Sequence, residues 1–60
     1  MTVWPLTIYW EDGGKPRRDL ATRAEDKAEQ MAGCIRQTWA GVLAVQVEEP
    51  TEDADRYEII

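Results

Sequence analysis

Cys34 is the single thiol of this chain, and neither histidine nor serine accompanies it. A cysteine or serine nucleophile working near neutral pH needs an adjacent base, most often an imidazole, or a depressed pKa. Serine triads and Ser-Lys pairs are therefore excluded. Cys34 falls toward the end of a helical pattern, where the dipole disfavours a thiolate. It is expected to pack beside the apolar stripe, with a disulfide between two copies as the alternative. One cysteine closes no intramolecular disulfide, and without histidine it builds no structural zinc site. Asp53-Ala54-Asp55 with Glu58 shares a few ligand types with a calcium loop, but the required glycine and the later bidentate glutamate are absent. Gly13-Gly14-Lys15 lacks the spacing of a phosphate-binding loop and the hydroxyl residue after the lysine, and a turn accounts for it. No catalytic residue, metal ligand or cofactor site is assigned, and a non-enzymatic protein is expected.

The chemistry that remains is electrostatic. Twelve Asp and Glu against seven Lys and Arg give a net charge of −5. Direct binding of nucleic acid needs a basic surplus to displace counterions, and an anionic membrane surface needs the same sign, so neither is expected. The acid is unevenly placed: residues 37–60 hold six acids and one arginine, whereas residues 15–36 hold six basic residues and four acids. Glu48, Glu49, Glu52, Asp53, Asp55 and Glu58 form the expected partner-binding patch, suited to steering a protein with a basic surface. A purely solubilising segment is the alternative reading. Trp4, Tyr9 and Tyr57 are the aromatic side chains available beside it as anchors, a place in the core or in a dimer seam being the other reading of each.

These side chains have to be positioned by one small domain spanning residues 1–60. Trp4, Leu6, Ile8 and Trp10 alternate with Thr7, Tyr9 and Glu11, the period-two pattern of a half-buried strand over residues 4–10. Asp12-Gly13-Gly14 signals a hairpin. A three-residue loop there would pair Glu11 with Lys15, Tyr9 with Arg17, Thr7 with Asp19 and Leu6 with Leu20. A second strand over residues 15–21 contains Pro16, which lacks a ladder N–H and suits an edge. Thr22-Arg23-Ala24-Glu25 matches a capping box. Ala24, Ala28, Met31, Ala32, Ile35 and Trp39 then recur at helical spacing, with Gly41 as the stop. Leu43, Val45 and Val47 alternate in a third strand ended by Pro50, and residues 56–60 read as a short fourth with Tyr57 and Ile59 directed alike.

The predicted fold is α+β, ββαββ: a four-stranded, mainly antiparallel sheet of order 2-1-3-4 with one helix on one face. The expected core is Leu6, Ile8, Trp10, Leu20, Met31, Ile35, Trp39, Leu43, Val45, Val47 and Ile59. A single helix shields one side of such a sheet. The other side, carrying Thr7, Tyr9, Ala44 and Gln46, is the expected face of a homodimer. The opening residues show no basic segment followed by a long apolar run, so a cytoplasmic location is expected.

The run Thr7-Ile8-Tyr9-Trp10-Glu11-Asp12-Gly13-Gly14-Lys15-Pro16, followed by Ala21-Thr22-Arg23-Ala24-Glu25-Asp26-Lys27-Ala28, resembles a hairpin-plus-helix pattern of small bacteriophage and mobile-element proteins, some of them anti-CRISPR inhibitors. The likeness covers about the first half of the chain and carries over no functional residue. It implies a bacterial host cell and a protein that acts by occluding a surface of a host or defence protein. An acidic DNA mimic that binds a nucleic-acid-handling protein, and a structural or virion-associated phage protein, are the alternative readings.

Overall fold

Trp4, Leu6, Ile8 and Trp10 alternate with Pro5, Thr7 and Tyr9, and in the computed structural model, which describes residues 1–60, they form strand β1 (Trp4–Trp10). It is followed by β2 (Arg17–Thr22), helix α1 (Glu25–Thr38), β3 (Val42–Val47), a 3-10 turn at Ala54–Arg56, and β4 (Glu58–Ile59). The fold is α+β, with one helix lying against a four-stranded sheet. The strand order is β3-β1-β2-β4. The antiparallel neighbours β2-β1-β3 are as the sequence predicts, but β4 lies on the opposite edge and runs parallel to β2. The predicted order 2-1-3-4 is corrected accordingly, and the sheet is mixed, with two antiparallel pairs and one parallel pair.

The reason is the connection after β3. Pro50 stops the strand, and Val3 and Thr51 exchange two backbone hydrogen bonds of 2.9 Å each, which fastens the chain at the start of β1 instead of turning it back along β3. From β3 to the far side of β2 is three inter-strand steps of about 4.8 Å. Residues 48–57 span that distance with ease, and the Ile60 N–H then donates to the Ala21 carbonyl at 2.9 Å.

Two irregularities set which side chains face the helix. Leu6 pairs with Leu20 as predicted, but the next aligned pair is Ile8 with Arg17. Strand β2 holds one extra residue at Arg18–Asp19, so the predicted pairs Tyr9–Arg17 and Thr7–Asp19 do not form. The bulge turns Arg17 to the same side as Ile8, where its guanidinium lies 5.6 Å from the centre of the Trp39 ring. On the other edge Tyr9 pairs with Ala44 while Trp10 pairs with Val42, which leaves Leu43 as the extra residue of β3. Val42 therefore enters the core and Leu43 is 59 % exposed.

The predicted three-residue loop is also longer, because Glu11 donates its N–H to the Gly41 carbonyl on the β3 side and β2 begins only at Arg17. Gly13, at φ +76°, adopts the left-handed turn, and the Asp12 carboxylate accepts the Gly14 N–H at 2.8 Å. The capping box does not form: Ala24 is the N-cap, and the Thr22 hydroxyl donates to the Ala24 carbonyl at 3.1 Å. Thr22 ends β2 fully buried, so its side chain is spent on the turn into the helix.

The core is Leu6, Ile8, Leu20, Ala28, Ile35 and Val42, with Trp4, Trp10, Met31, Ala32, Val45, Val47 and Ile60 packed around it. Trp39 is displaced from its predicted place, at 38 % exposed, because α1 ends at Thr38. Ile59 pairs beside Ala21, on the side away from Leu20, so Ile60 takes its place in the core. The burial of Pro5, Thr7 and Ala21 shows that the second face of the sheet is partly covered.

Removing two methyl groups at about 0.8 kcal/mol each, Val42→Ala should lower stability by about 1.5–2 kcal/mol. Leu43→Ala should change it by less than about 0.5 kcal/mol. Urea midpoints at unchanged slope measure both, and the opposite ranking would contradict the register described.

Candidate functional site

Glu25 and Glu29 stand one turn apart on the first half of α1, and that spacing puts both carboxylates on one flank of the helix. Trp4 opens β1 beneath them. Val47 closes β3, and Glu48, Glu49 and Pro50 follow where proline ends the strand. These seven residues line a cleft of about 220 Å³. Glu25, Glu29 and Glu49 make no ion pair with any cation of the chain.

Glu48 is held at two points. Its N–H donates to the Pro5 carbonyl at 2.8 Å, and its carboxylate accepts the Thr7 hydroxyl at 3.0 Å. The side chain thus leans toward the second face, where it also borders a second hollow, of about 300 Å³, with Pro5, Thr7, Arg18, Glu49 and Tyr57. The carboxylates do not gather in a group able to hold a metal ion.

The six acids singled out in the sequence are accordingly divided. Glu48 and Glu49 border the cleft. Glu52 accepts the Thr2 hydroxyl at 2.8 Å and lies 3.3 Å from the amino terminus, and these contacts hold its carboxyl below the usual carboxylate range. Asp53 pairs with Arg56 at 3.6 Å, and Glu58 pairs with Arg17 at 3.7 Å on the far edge of the sheet. Asp55 is exposed and unpaired. The chain therefore neutralises much of its acidic segment internally, and the unpaired charge concentrates where the segment meets α1.

Glu25 and Glu29 are the contributors that the charge count passes over, because it treats the helix acids as solvated. Their signal is the four-residue spacing of Glu25 and Glu29 beside the apolar stripe. Of the predicted aromatic anchors, Trp4 lines the cleft and Tyr57 the second hollow, while the Tyr9 hydroxyl points to Gln46 at 3.4 Å. Of the predicted dimer face, Thr7 is only 2 % exposed, beneath Glu48, whereas Ala44 and Gln46 lie open at the β3 edge. Cys34 is exposed, not packed beside the stripe, and its carbonyl accepts the Thr38 hydroxyl at 2.7 Å.

Arg17 is the other charged centre. Its Nε donates to Asp19 at 2.7 Å, and that hydrogen bond is the main cause of the raised Arg17 pKa and of the lowered Asp19 pKa.

No helix of the chain is long and apolar enough to cross a membrane. No family model matches the sequence, and no curated protein or solved structure matches it either.

The lowered Asp19 and Glu52 values fix the direction of the acid response. A carboxylate whose folded pKa is depressed stabilises the fold fully above its ordinary value, and the contribution is lost as pH falls through the folded value. Stability should therefore decline below about pH 4. Asp19→Asn should flatten that decline, as read from urea midpoints across the acid range. An unchanged acid slope would remove Asp19 from the account.

Proposed function

We propose that the chain is a small non-enzymatic binding protein that docks on a basic patch of a larger protein and blocks it, in the manner of a phage-encoded inhibitor. The observation that carries this reading is the cleft that Glu25, Glu29 and Glu49 line together with Trp4, with no ion pair to a cation of the chain. A lysine or arginine entering it meets several carboxylates and an aromatic surface together, and cation–π contact adds to charge pairing. The like-charge pair Glu25 and Glu29 costs α1 a few tenths of a kcal/mol while no cation is bound, so a bound cation also relieves repulsion. Because the carboxylates sit on a helix and on a hydrogen-bonded strand end, little ordering is needed on binding. The remaining acids of the final third steer the approach of a basic partner more than they hold it.

Titration with an arginine-rich peptide, followed through the Trp4 indole N–H signal, tests the reading. Binding should weaken as salt rises, and Glu29→Lys with Glu49→Lys should reduce affinity at least about tenfold, or about 1.4 kcal/mol. Asp55→Lys, outside the cleft, should change it less than about twofold. A Trp4 signal that does not move, or an Asp55→Lys effect as large as the cleft effect, would discard the cleft as the binding surface.

A further inference from the structure

Strand β3 is an outer strand of the sheet, and its six residues, Val-Leu-Ala-Val-Gln-Val, include no charge and no proline. Only β1 pairs with it. Outer strands are ordinarily protected by lysine, proline, shortness or a covering segment, because their unpaired N–H and C=O groups will accept another strand. The opposite edge has such protection: β4 is two residues long and begins with Glu58, and the remainder of β2 presents Arg17 and Arg18 just after Pro16. The β3 edge has none of these, and its one irregularity, the extra residue Leu43, lies near the start of the strand and leaves Ala44–Val47 in regular register.

The ladder identifies the unpaired groups. Glu48 donates its N–H toward Pro5 of β1. By the period-two alternation of an antiparallel pair, Gln46 and Ala44 also turn their backbone groups to β1, so Val45 and Val47 turn theirs outward. Ala44 and Gln46 are exposed, and Val45 and Val47 half-exposed.

We infer that the β3 edge is a pairing surface for a second copy of this chain, joined antiparallel about a two-fold axis at Val45. That register sets Val45 against Val45 on the helix side and Ala44 against Gln46 on the other, and it prolongs the sheet from four strands to eight. It also decides the charge question. Glu48 falls opposite Val42 and Glu49 opposite Gly41, so no carboxylate faces another. The two Glu48 residues lie six positions apart along the seam, about 20 Å, which exceeds the screening length of about 8 Å at physiological salt. A parallel join would set Glu48 and Glu49 against their own copies and is disfavoured. With no charge on the seam to select a foreign strand, the complementarity that remains is that of the edge to itself. Of the positions Thr7, Tyr9, Ala44 and Gln46 expected to form a dimer face, only Ala44 and Gln46 belong to this seam. The inference does not rest on the cleft.

A six-residue seam covers less than the roughly 1,200–2,000 Å² of a standard stable interface, so association should depend on concentration. Light scattering in reducing buffer, from about 10 μM to about 1 mM, should show a mass rising from 6.9 kDa toward twice that value. Amide exchange at Val45 and Val47 should slow over the same range. The double variant Ala44→Lys with Gln46→Lys sets lysine against lysine and should remain a single chain. Ala44→Glu with Gln46→Lys sets glutamate against lysine and should associate at least as well as the unaltered protein. Val45→Pro, which removes an outward N–H and leaves the β1 ladder intact, should also prevent association while the far-ultraviolet spectrum stays folded. A folded protein with constant single-chain mass throughout overturns the inference, as does association that the double lysine variant leaves unaffected. Loss of association in the Glu–Lys variant overturns the Val45-centred register.

Discussion

Leu6 and Ile8 are sealed from water because β1 is hydrogen-bonded along both edges while α1 lies across its inner face. No other strand is paired along both edges over most of its length. On each side the ladder is regular over the first residues of β1 and irregular further on, between Leu6 and Ile8 toward β2 and between Tyr9 and Trp10 toward β3. The regular end is where Val3 and Thr51 fasten the long connection and where Pro5 receives Glu48. Backbone fixed on two sides is a firm support for a side-chain cleft, and the cleft lies at that end. At the irregular end the extra residues change which side chains point inward, and Arg17 and Leu43 are placed there by the bulges and not by alternation.

Charge is arranged on this frame by proximity to cations. Glu52, Asp53, Asp19 and Glu58 each lie near a positive group, so most of the acid at the far edge and in the connection is compensated. Glu25 benefits from the positive end of α1. Glu29 is beyond the reach of that effect, because the dipole acts within the first turn, and it gains no lysine or arginine in exchange. In a domain of this size, whose folding buries only about 60 % of its extended surface, several tenths of a kcal/mol of repulsion are a noticeable fraction of the total. A surface that keeps such repulsion and carries an indole beside it is suited to receiving a cation from outside.

Much of this fold can be read from residue order. The β1 span, the amphipathic stretch from Ala28 to Ile35, the Leu6–Leu20 pair and the antiparallel trio β2-β1-β3 follow from alternation and helical spacing, which act within a few residues. The place of β4 does not, because Val3–Thr51 pairing joins residues far apart in the chain and nothing local announces it. The two bulges are equally silent, since a single extra residue leaves a hydrophobic pattern nearly unchanged over so few positions. Leu43 reads as core for that reason, and Val42, one place earlier, replaces it. Trp39 fits the helical stripe, but the helix ends before it. At the cleft, Glu48 and Glu49 are visible as part of an acidic run. Glu25 and Glu29 are hidden among ordinary helix-start acids until the end of β3 is placed beside α1.

The cleft and the uncharged edge meet at the end of β3, since Val47 belongs to both. This adjacency links the two proposals. A two-fold axis perpendicular to the sheet keeps both helices on the same face, so antiparallel joining at Val45 presents two clefts side by side on one surface. Their centres fall near the two ends of the seam, about 20 Å apart by the rise of an extended strand. On the two proposals together, a partner with a row of basic side chains at that spacing would engage both, and the second contact would form at high effective concentration without any new chemistry. Two shallow acidic clefts that each hold one side chain modestly become, once paired, a surface that discriminates by spacing as well as by charge. Pairing of this kind would give a small chain with one helix and few buried side chains recognition area that its own surface cannot supply.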